Sequence, residues 1–467
     1  MNEVKAKAPR QIMRLCIHRA AWSAAVGAAI IAVGCRGVPT RTERVARQDF
    51  HEVAERYRPD GKPPVLPELK PASPFSNYLM YAMLNSPRVQ AAYYDWAASV
   101  ERITVERSLP DPKLTFESDI ADVVMTVMPG LMQDFPGPGK LKARGNMAAA
   151  VSRTRYSAFE AAVLQSAFEL KRSFLELHFL DERLRINREN ARLLGNLESI
   201  ARAQNETGKV TLQDVLRAQL ERDRLNNEIT NVEDSRRPML VRFKAALGMP
   251  HDRPDPPVPE SLESSTSDPD PDELLKTAFA RNPRLKAMEG EVRAAQAAIG
   301  VATKEKVPDF SLGLMADVQA SPTIFRPLAS VSLPIWRKKI AAEIAQAEAA
   351  ELAARSRLTA EQISLTVEFA EKSFMYREIN RELALLQNQL IPKAKQSLEI
   401  ARTGYLSGTI DFFNLIDAER TLLNFGLAEI EARTRREIVL AEMSLMIAGV
   451  PPEGAPVLSA SNPTLAP

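Results

Sequence analysis

The stretch Gly208-Lys209-Val210-Thr211-Leu212-Gln213-Asp214-Val215-Leu216-Arg217-Ala218-Gln219 returns later as Gly408-Thr409-Ile410-Asp411-Phe412-Phe413-Asn414-Leu415-Ile416-Asp417-Ala418-Glu419. Each copy has a glycine, a β-branched residue two positions on, and an apolar run that enters an alanine-containing helix. Other anchors repeat in the same order. Asn85-Ser86-Pro87-Arg88-Val89 is echoed by Arg281-Asn282-Pro283-Arg284-Leu285, and Phe135-Pro136 by Leu333-Pro334. Leu247-Gly248-Met249-Pro250 is echoed by Ala448-Gly449-Val450-Pro451. The spacing drifts only from 196 residues (Pro87 to Pro283) to 201 (Pro250 to Pro451), so two units lie head to tail.

Working outward, each repeat reads as helix, strand pair, long helix, helix. In the first, a helical pattern from Ser76 to Leu109 stops at Pro110 and Pro112. Lys113 to Ile120 then alternates, with Leu114, Phe116 and Ile120 against Thr115, Glu117 and Asp119. That period marks a strand with one apolar and one polar face. A weaker strand ends near Phe135, and Gly137-Pro138-Gly139 opens a long helix from about Lys140 to Asn205. Gly208 breaks it, and a further helix covers about Thr211 to Leu247.

The second repeat gives a helix from about Pro271 to Lys306, a strand from Asp309 to Val318 and another from about Leu328 to Leu333. A long helix follows from about Arg337 to Thr403, kinked at Pro392. Gly404 and Gly408 bracket the break, and the last helix ends before Gly449. The long helices have about 65 residues, roughly 100 Å at 1.5 Å per residue. The two shorter helices of each repeat, end to end, match that length. Each repeat therefore reads as a two-rod hairpin, with the glycine breaks at one end and the strands at the other.

Composition agrees. In 467 residues, aromatics are only 6% while alanine, leucine, glutamate and arginine abound, which suits long helices packed through small side chains. A net charge of +2 gives no sign of nucleic-acid binding. The two cysteines, Cys16 and Cys35, and the four histidines, His18, His51, His178 and His251, have no metal-ligand spacing. No paired catalytic constellation and no nucleotide-binding loop is present, so neither an enzyme nor a cofactor is expected.

The N-terminus reads as an export signal. Lys5, Lys7, Arg10, Arg14 and Arg19 precede an apolar stretch from Ala20 to Val33, too short for a comfortable membrane span. Ile31-Ala32-Val33-Gly34-Cys35 resembles a bacterial lipobox, with Ala32 where leucine is usual. The resemblance implies cleavage before Cys35, lipidation of its thiol and, with Arg36 next, sorting to the outer membrane. The domain organisation is then a signal peptide (1–34), an extended N-terminal arm (35–75), the first repeat (76–250), a Pro/Asp/Ser-rich linker (251–270), the second repeat (271–451) and a C-terminal tail (452–467).

Four one-sided strands cannot finish a structure in hydrocarbon, because every backbone N–H and C=O must be paired and only a closed barrel does that. About eight strands is the practical minimum, and three copies would supply twelve. A soluble β-cap on the helices is the other reading of the alternation.

The residues Ile391-Pro392-Lys393-Ala394 through Tyr405-Leu406-Ser407-Gly408, then Asn414-Leu415-Ile416-Asp417-Ala418-Glu419-Arg420, with their counterpart Gly208 to Glu221, resemble the TolC family of outer-membrane efflux proteins. The resemblance extends from about Phe75 to Pro451. It implies a mainly α fold with a membrane β-barrel portion. Long α-helical hairpins form a trimeric periplasmic tunnel, and four β-strands per chain contribute to a 12-stranded barrel. The implied function is the exit duct of a tripartite efflux pump for metal cations or drugs. The implied partners are two further copies, a periplasmic adaptor, an inner-membrane pump and outer-membrane lipid. Gln133 to Leu141 resembles members serving heavy-metal pumps. A duct for type I protein secretion shares the fold, and a periplasmic coiled-coil adaptor or scaffold lipoprotein would share the helices and the lipid.

The resemblance also implies a gate at the helical tips. Asp417 matches one position of an acidic ring around the aperture, Asn414 stands at the other, and Asp411 is a nearby carboxylate. Asp214 and Tyr405 match two members of a closing contact, while Ile410 stands where an arginine would complete it. Gly208, Gly404 and Gly408 mark the tip turns. Met125, Met128 and Met132 form a loose thioether group, read as lipid-facing or loop side chains although thioethers suit copper(I). Phe412 and Phe413 are core or adaptor-facing aromatics.

Overall fold

The computed structural model describes residues 39–121, 124–259, 271–318 and 322–450. The signal peptide, Cys35 and the C-terminal tail lie outside them, as does most of the linker.

The elements follow the repeat. Helix α1 (Arg41–Tyr57) comes first. The first repeat holds α2 (Phe75–Asn85), α3 (Pro87–Arg107), β1 (Lys113–Ala121), β2 (Val124–Phe135), α4 (Lys140–Glu206) and α5 (Leu212–Ala246). The second holds α6 (Pro271–Arg281), α7 (Pro283–Lys304), β3 (Asp309–Asp317), β4 (Ile324–Ser332), α8 (Arg337–Leu385), α9 (Ile391–Ser407) and α10 (Phe412–Ala441). The 67-residue α4 has no internal proline and is unbroken.

The expected kink at Pro392 takes a specific form. Proline has no N–H to give to the carbonyl four residues back. The ladder slips by one residue over Leu386–Leu390, a π-helical turn in which the Ile391 N–H reaches the Leu386 carbonyl.

Three expectations need correction. The N-terminal arm is not extended throughout, because residues 41–57 are helical. Thr40 caps that helix by accepting from the Glu43 N–H at 3.2 Å. Glu43 is then buried and ion-paired to Arg47 at 3.1 Å and Arg107 at 2.8 Å, so tertiary pairing holds a segment whose apolar periodicity is poor.

The first helix of each repeat is two helices. Ser86, forced extended before Pro87, ends α2 with ψ at 122°. Asn282 accepts from the N–H groups of Arg284 and Leu285 and starts α7. Strand β4 also begins earlier than the pattern indicates, at Ile324.

The chain forms two compact units. One gathers the residues through Phe50, Ala97–Arg153 and Gly290–Arg355. The other gathers His51–Trp96, Thr154–Glu289 and the residues from Ser356 on. Each draws on both repeats. The first contains the sheet, antiparallel in the order β1-β2-β3-β4.

In the second, the repeat anchors become a matched pair of latches. Asn85 Nδ2 donates to the carbonyls of Leu247 (2.9 Å) and Gly248 (3.0 Å), and Asn282 Nδ2 to that of Ile447 (2.9 Å). Gly248 and Gly449 adopt φ of 69° and 64°, where only glycine is comfortable. The echoed Asn-Ser-Pro, Asn-Pro and Gly-x-Pro motifs are thus the closing hardware of each repeat.

Candidate functional site: an inverted sheet and a helical tip

Register assigns every described strand residue to a face, since directly opposed residues share one. Leu114, Phe116, Leu131, Phe310, Leu312 and Leu314 occupy one face, and all six are exposed. Thr115, Glu117, Asp134, Ser311 and Asp317 occupy the other. Along β3 the polar-face residues are the more buried and the apolar ones the more exposed. The sheet is therefore inside out for water: its apolar side is left uncovered. Strands β1 and β4 each have only one hydrogen-bonded neighbour among the described residues. Strand lengths of 9, 12, 9 and 9 residues match or approach what a tilted strand needs to cross a bilayer. Among the described residues, no helix is long and apolar enough to cross one.

The connection from β2 to α4 explains the motif Gln133 to Leu141. A side chain at Gly137 would come within 2.4 Å of the Pro308 carbonyl, so only glycine fits. Its N–H donates to Asp309 at 2.7 Å. Lys140, buried, sits 3.0 Å from Asp309 and 3.1 Å from Glu305. Asp134 accepts from Ser311 at 2.6 Å and pairs with Lys113 at 2.7 Å. The motif ties the first repeat to the second at the sheet.

The other unit carries the predicted gate residues. Apolar side chains of α4, α5, α9 and α10 form one cluster, including Leu197, Val215, Ala401, Tyr405, Phe412 and Leu415. Gly208 and Gly408 take φ of 70° and 77° and end α4 and α9, as tip turns require. Gly404 is not at the break. It lies inside α9 because the returning chain packs onto it: Ile410 side-chain atoms would lie 2.6 Å from an added Cβ, and Thr409 N–H reaches its carbonyl at 2.8 Å. Ile410, where an arginine was expected, thus serves the turn.

Asp411 caps α10, accepting from the Asn414 N–H at 2.9 Å. Asn414 and Asp417 are exposed, one helical turn apart on the same face. Phe412 is buried against Tyr405, with ring centroids 5.2 Å apart. Phe413 is exposed, with the Arg217 guanidinium 4.9 Å from its ring centre. The two adjacent phenylalanines therefore divide between core and surface.

Within the single chain, Asp214 and Tyr405, the two members of the closing contact that the resemblance implies, make no hydrogen bond. The Tyr405 hydroxyl is buried without a partner among the described residues. Burial, and secondarily the charge of Asp214, push its pKa up to about 12.

Sequence reasoning missed Glu419. It is buried, its Oε1 has no hydrogen-bond partner among the described residues, and burial raises its pKa despite the opposing charge of Arg402. The repeat held the clue. Its counterpart Gln219 donates to the buried Glu198 at 2.9 Å, and Arg202 and Arg222 also pair with that carboxylate. Leu398 stands two hundred residues after Glu198, so in the second repeat the carboxylate has moved across and lost those partners.

Glu419→Gln is expected to stabilise the protein at pH 8, because it removes a buried negative charge and keeps the side chain's size. The sign follows from the raised folded-state pKa. The native state is favoured fully below the ordinary glutamate pKa and loses that advantage as pH rises through the raised value. Thermal melts from pH 5 to 8 test this: wild type loses stability relative to the variant as pH rises, and parallel curves would refute it.

Residues 274–449 match the family described as "Outer membrane efflux protein". The cobalt-zinc-cadmium resistance protein CzcC of Cupriavidus metallidurans is 24% identical over 325 residues, covering 68% of this chain and 76% of CzcC. The outer membrane protein VceC of Vibrio cholerae superposes with a TM-score of 0.66 at 17% identity, over 80% of this chain and 95% of VceC. CusC gives 0.67 at 17%, over 79% and 90%. Residues 274–449 are thus similar to the outer membrane efflux proteins, and the chain as a whole has the fold of VceC and CusC.

Proposed function

We propose that three copies of this chain join strand β4 of one to β1 of the next, closing a 12-stranded barrel, and that the trimer is the exit duct of a tripartite pump exporting metal cations. The inverted sheet with two unpaired edges carries this reading. Its uncovered Leu and Phe side chains match lipid, and an open edge is untenable in hydrocarbon. Trp336, exposed just beyond β4, suits the aromatic belt at a membrane interface. The likeness to a cobalt-zinc-cadmium resistance protein supports metal cargo.

In this reading residues 1–34 are removed on export and Cys35 carries the lipid anchor. The two repeats, 76–250 and 271–451, build the tunnel wall, and the turns at Gly208 and Gly408 face a periplasmic adaptor, through which the inner-membrane pump is coupled. The exposed Asn414 and Asp417 ring the aperture in threefold array, where the Asp417 carboxylates favour cations and the neutral Asn414 lowers the ring's charge. Asp411 adds a carboxylate beside them while capping α10. Tyr405, with its unpartnered hydroxyl, and Asp214 form the closing contact when the copies assemble.

Native mass spectrometry in detergent tests the assembly and should give a trimer. Planar-bilayer recording should give cation-selective channels. Asp417→Asn should shift the reversal potential toward zero in a salt gradient. A monomer without conductance overturns the proposal, and unchanged selectivity removes Asp417 from the filter.

A further inference from the structure

We propose that Met128, Met132 and Met315 form a binding station for a soft monovalent cation, copper(I) or silver(I), on the polar face of the sheet. The inference rests on the channel reading above only in placing that face toward the pore.

Register sets the geometry. Met128, Gly130 and Met132 share one face of β2, and Met315 of β3 stands directly opposite Gly130. Across the side chains described in β1, β2 and β3, every apolar residue on that face other than glycine is a methionine. The rest are Lys113, Thr115, Glu117, Asp134, Asp309, Ser311 and Asp317. The opposite face carries Leu114, Phe116, Leu131, Phe310, Leu312 and Leu314, and Met125 holds a position on it. On β4 the polar face also carries Leu328 and Ile324, beyond the three methionines.

Burial and close approach add to this. Met128 and Met315 are 4% and 5% exposed, while the leucines on the other face are at least 50% exposed. An added Cβ at Gly130 would lie 2.5 Å from Met315 Cγ and 2.8 Å from Thr115 Oγ1. The missing side chain of Gly130 makes the hollow that Met315 occupies, between the positions of Met128 and Met132.

The charge environment fits a cation. Glu117 is directly opposite Met128 and exposed, with no ion pair among the described residues. The neighbouring carboxylates are already engaged, Asp317 with Arg326 at 3.3 Å and Asp134 with Lys113 at 2.7 Å. Thioethers are neutral, polarisable and not protonated at any physiological pH. They select soft cations over zinc or cobalt, which prefer nitrogen and oxygen donors. No cluster of histidine, cysteine, aspartate or glutamate suited to a metal exists among the described residues. Weak, neutral ligands also suit a conduit, where an ion must leave as readily as it arrives.

The test uses the full-length protein in detergent with its thiols blocked, titrated calorimetrically with silver nitrate in chloride-free buffer. Wild type should bind silver at a site whose affinity falls at least tenfold in Met128→Leu/Met315→Leu. Leucine conserves volume, so the variant should keep its oligomeric mass. Met132→Leu alone gives a second, milder variant, with a smaller loss expected. Zinc chloride should show no site sensitive to these changes. Equal silver affinity in wild type and both variants overturns the proposal. Conductance on the same preparations separates the two readings, since a non-conducting protein that keeps a methionine-dependent silver site fails only the channel reading.

Discussion

Gly248→Ala is expected to destabilise the protein by roughly 2–5 kcal/mol, whereas Gly208→Ala should cost only about 1–2 kcal/mol. Both glycines have nearly the same backbone, φ of 69° and 70°, so the left-handed conformation penalises alanine equally at each. Their surroundings differ. An added Cβ at Gly208 meets nothing within 4 Å, while at Gly248 it would lie 2.7 Å from the Asn85 carbonyl oxygen and 3.0 Å from its carbon. Those are backbone atoms of the latch that Asn85 closes on Leu247 and Gly248, and they cannot swing aside as a side chain would. The extra cost is that of overpacking a tight site, about 1–3 kcal/mol. Gly449 repeats the situation, 2.8 Å from the Arg281 carbonyl oxygen, so Gly449→Ala should resemble Gly248→Ala. Denaturation midpoints of the three variants against wild type settle the point. Equal losses at positions 208 and 248 would mean that the latch contributes nothing beyond its backbone angle.

The latch also shows what a repeated sequence reveals. The Asn-Pro and Gly-x-Pro echoes were legible as anchors, because identical residues returned at nearly constant spacing. Their pairing across more than 160 residues was not, since nothing local says that Asn85 seeks the carbonyl of Leu247. Strands β1 and β3 were legible from strict alternation. The start of β4 was not, because Arg326 and Pro327 interrupt the pattern. Proline is tolerated there since β4 is an edge of the sheet in this chain. Helix α1 escaped notice because its stability comes from a Thr40 cap and a buried Glu43 ion pair, and not from an apolar stripe. At the tips, the glycine turns at 208 and 408 were readable from local chemistry. The burial of Glu419 was not, because a carboxylate on an amphipathic helix ordinarily faces water. Only comparison with Gln219 could have drawn attention to it.

Leu312→Arg is expected to abolish membrane assembly, whereas Ser330→Arg should be tolerated. The two positions lie on adjacent strands, with Leu312 opposite Ala329, so Ser330 belongs to the other face of the sheet. Both residues are exposed in the single chain, and for a soluble protein the two changes would be equally harmless. They differ only if a bilayer covers one face. An arginine near the bilayer midplane of a barrel costs about 2–4 kcal/mol, and a threefold assembly meets that cost three times. On the pore face the same guanidinium stays in water, with Ser311 directly opposite and Ser332 and Asp309 on the next positions of the polar surface. Outer-membrane fractionation followed by trimer migration on semi-native gels would read the outcome. Loss of the trimer for Leu312→Arg with retention for Ser330→Arg supports a lipid-facing apolar side. Equal behaviour of the two would mean that the exposed leucines and phenylalanines are covered by protein, and the sheet would then be a soluble cap on the helices.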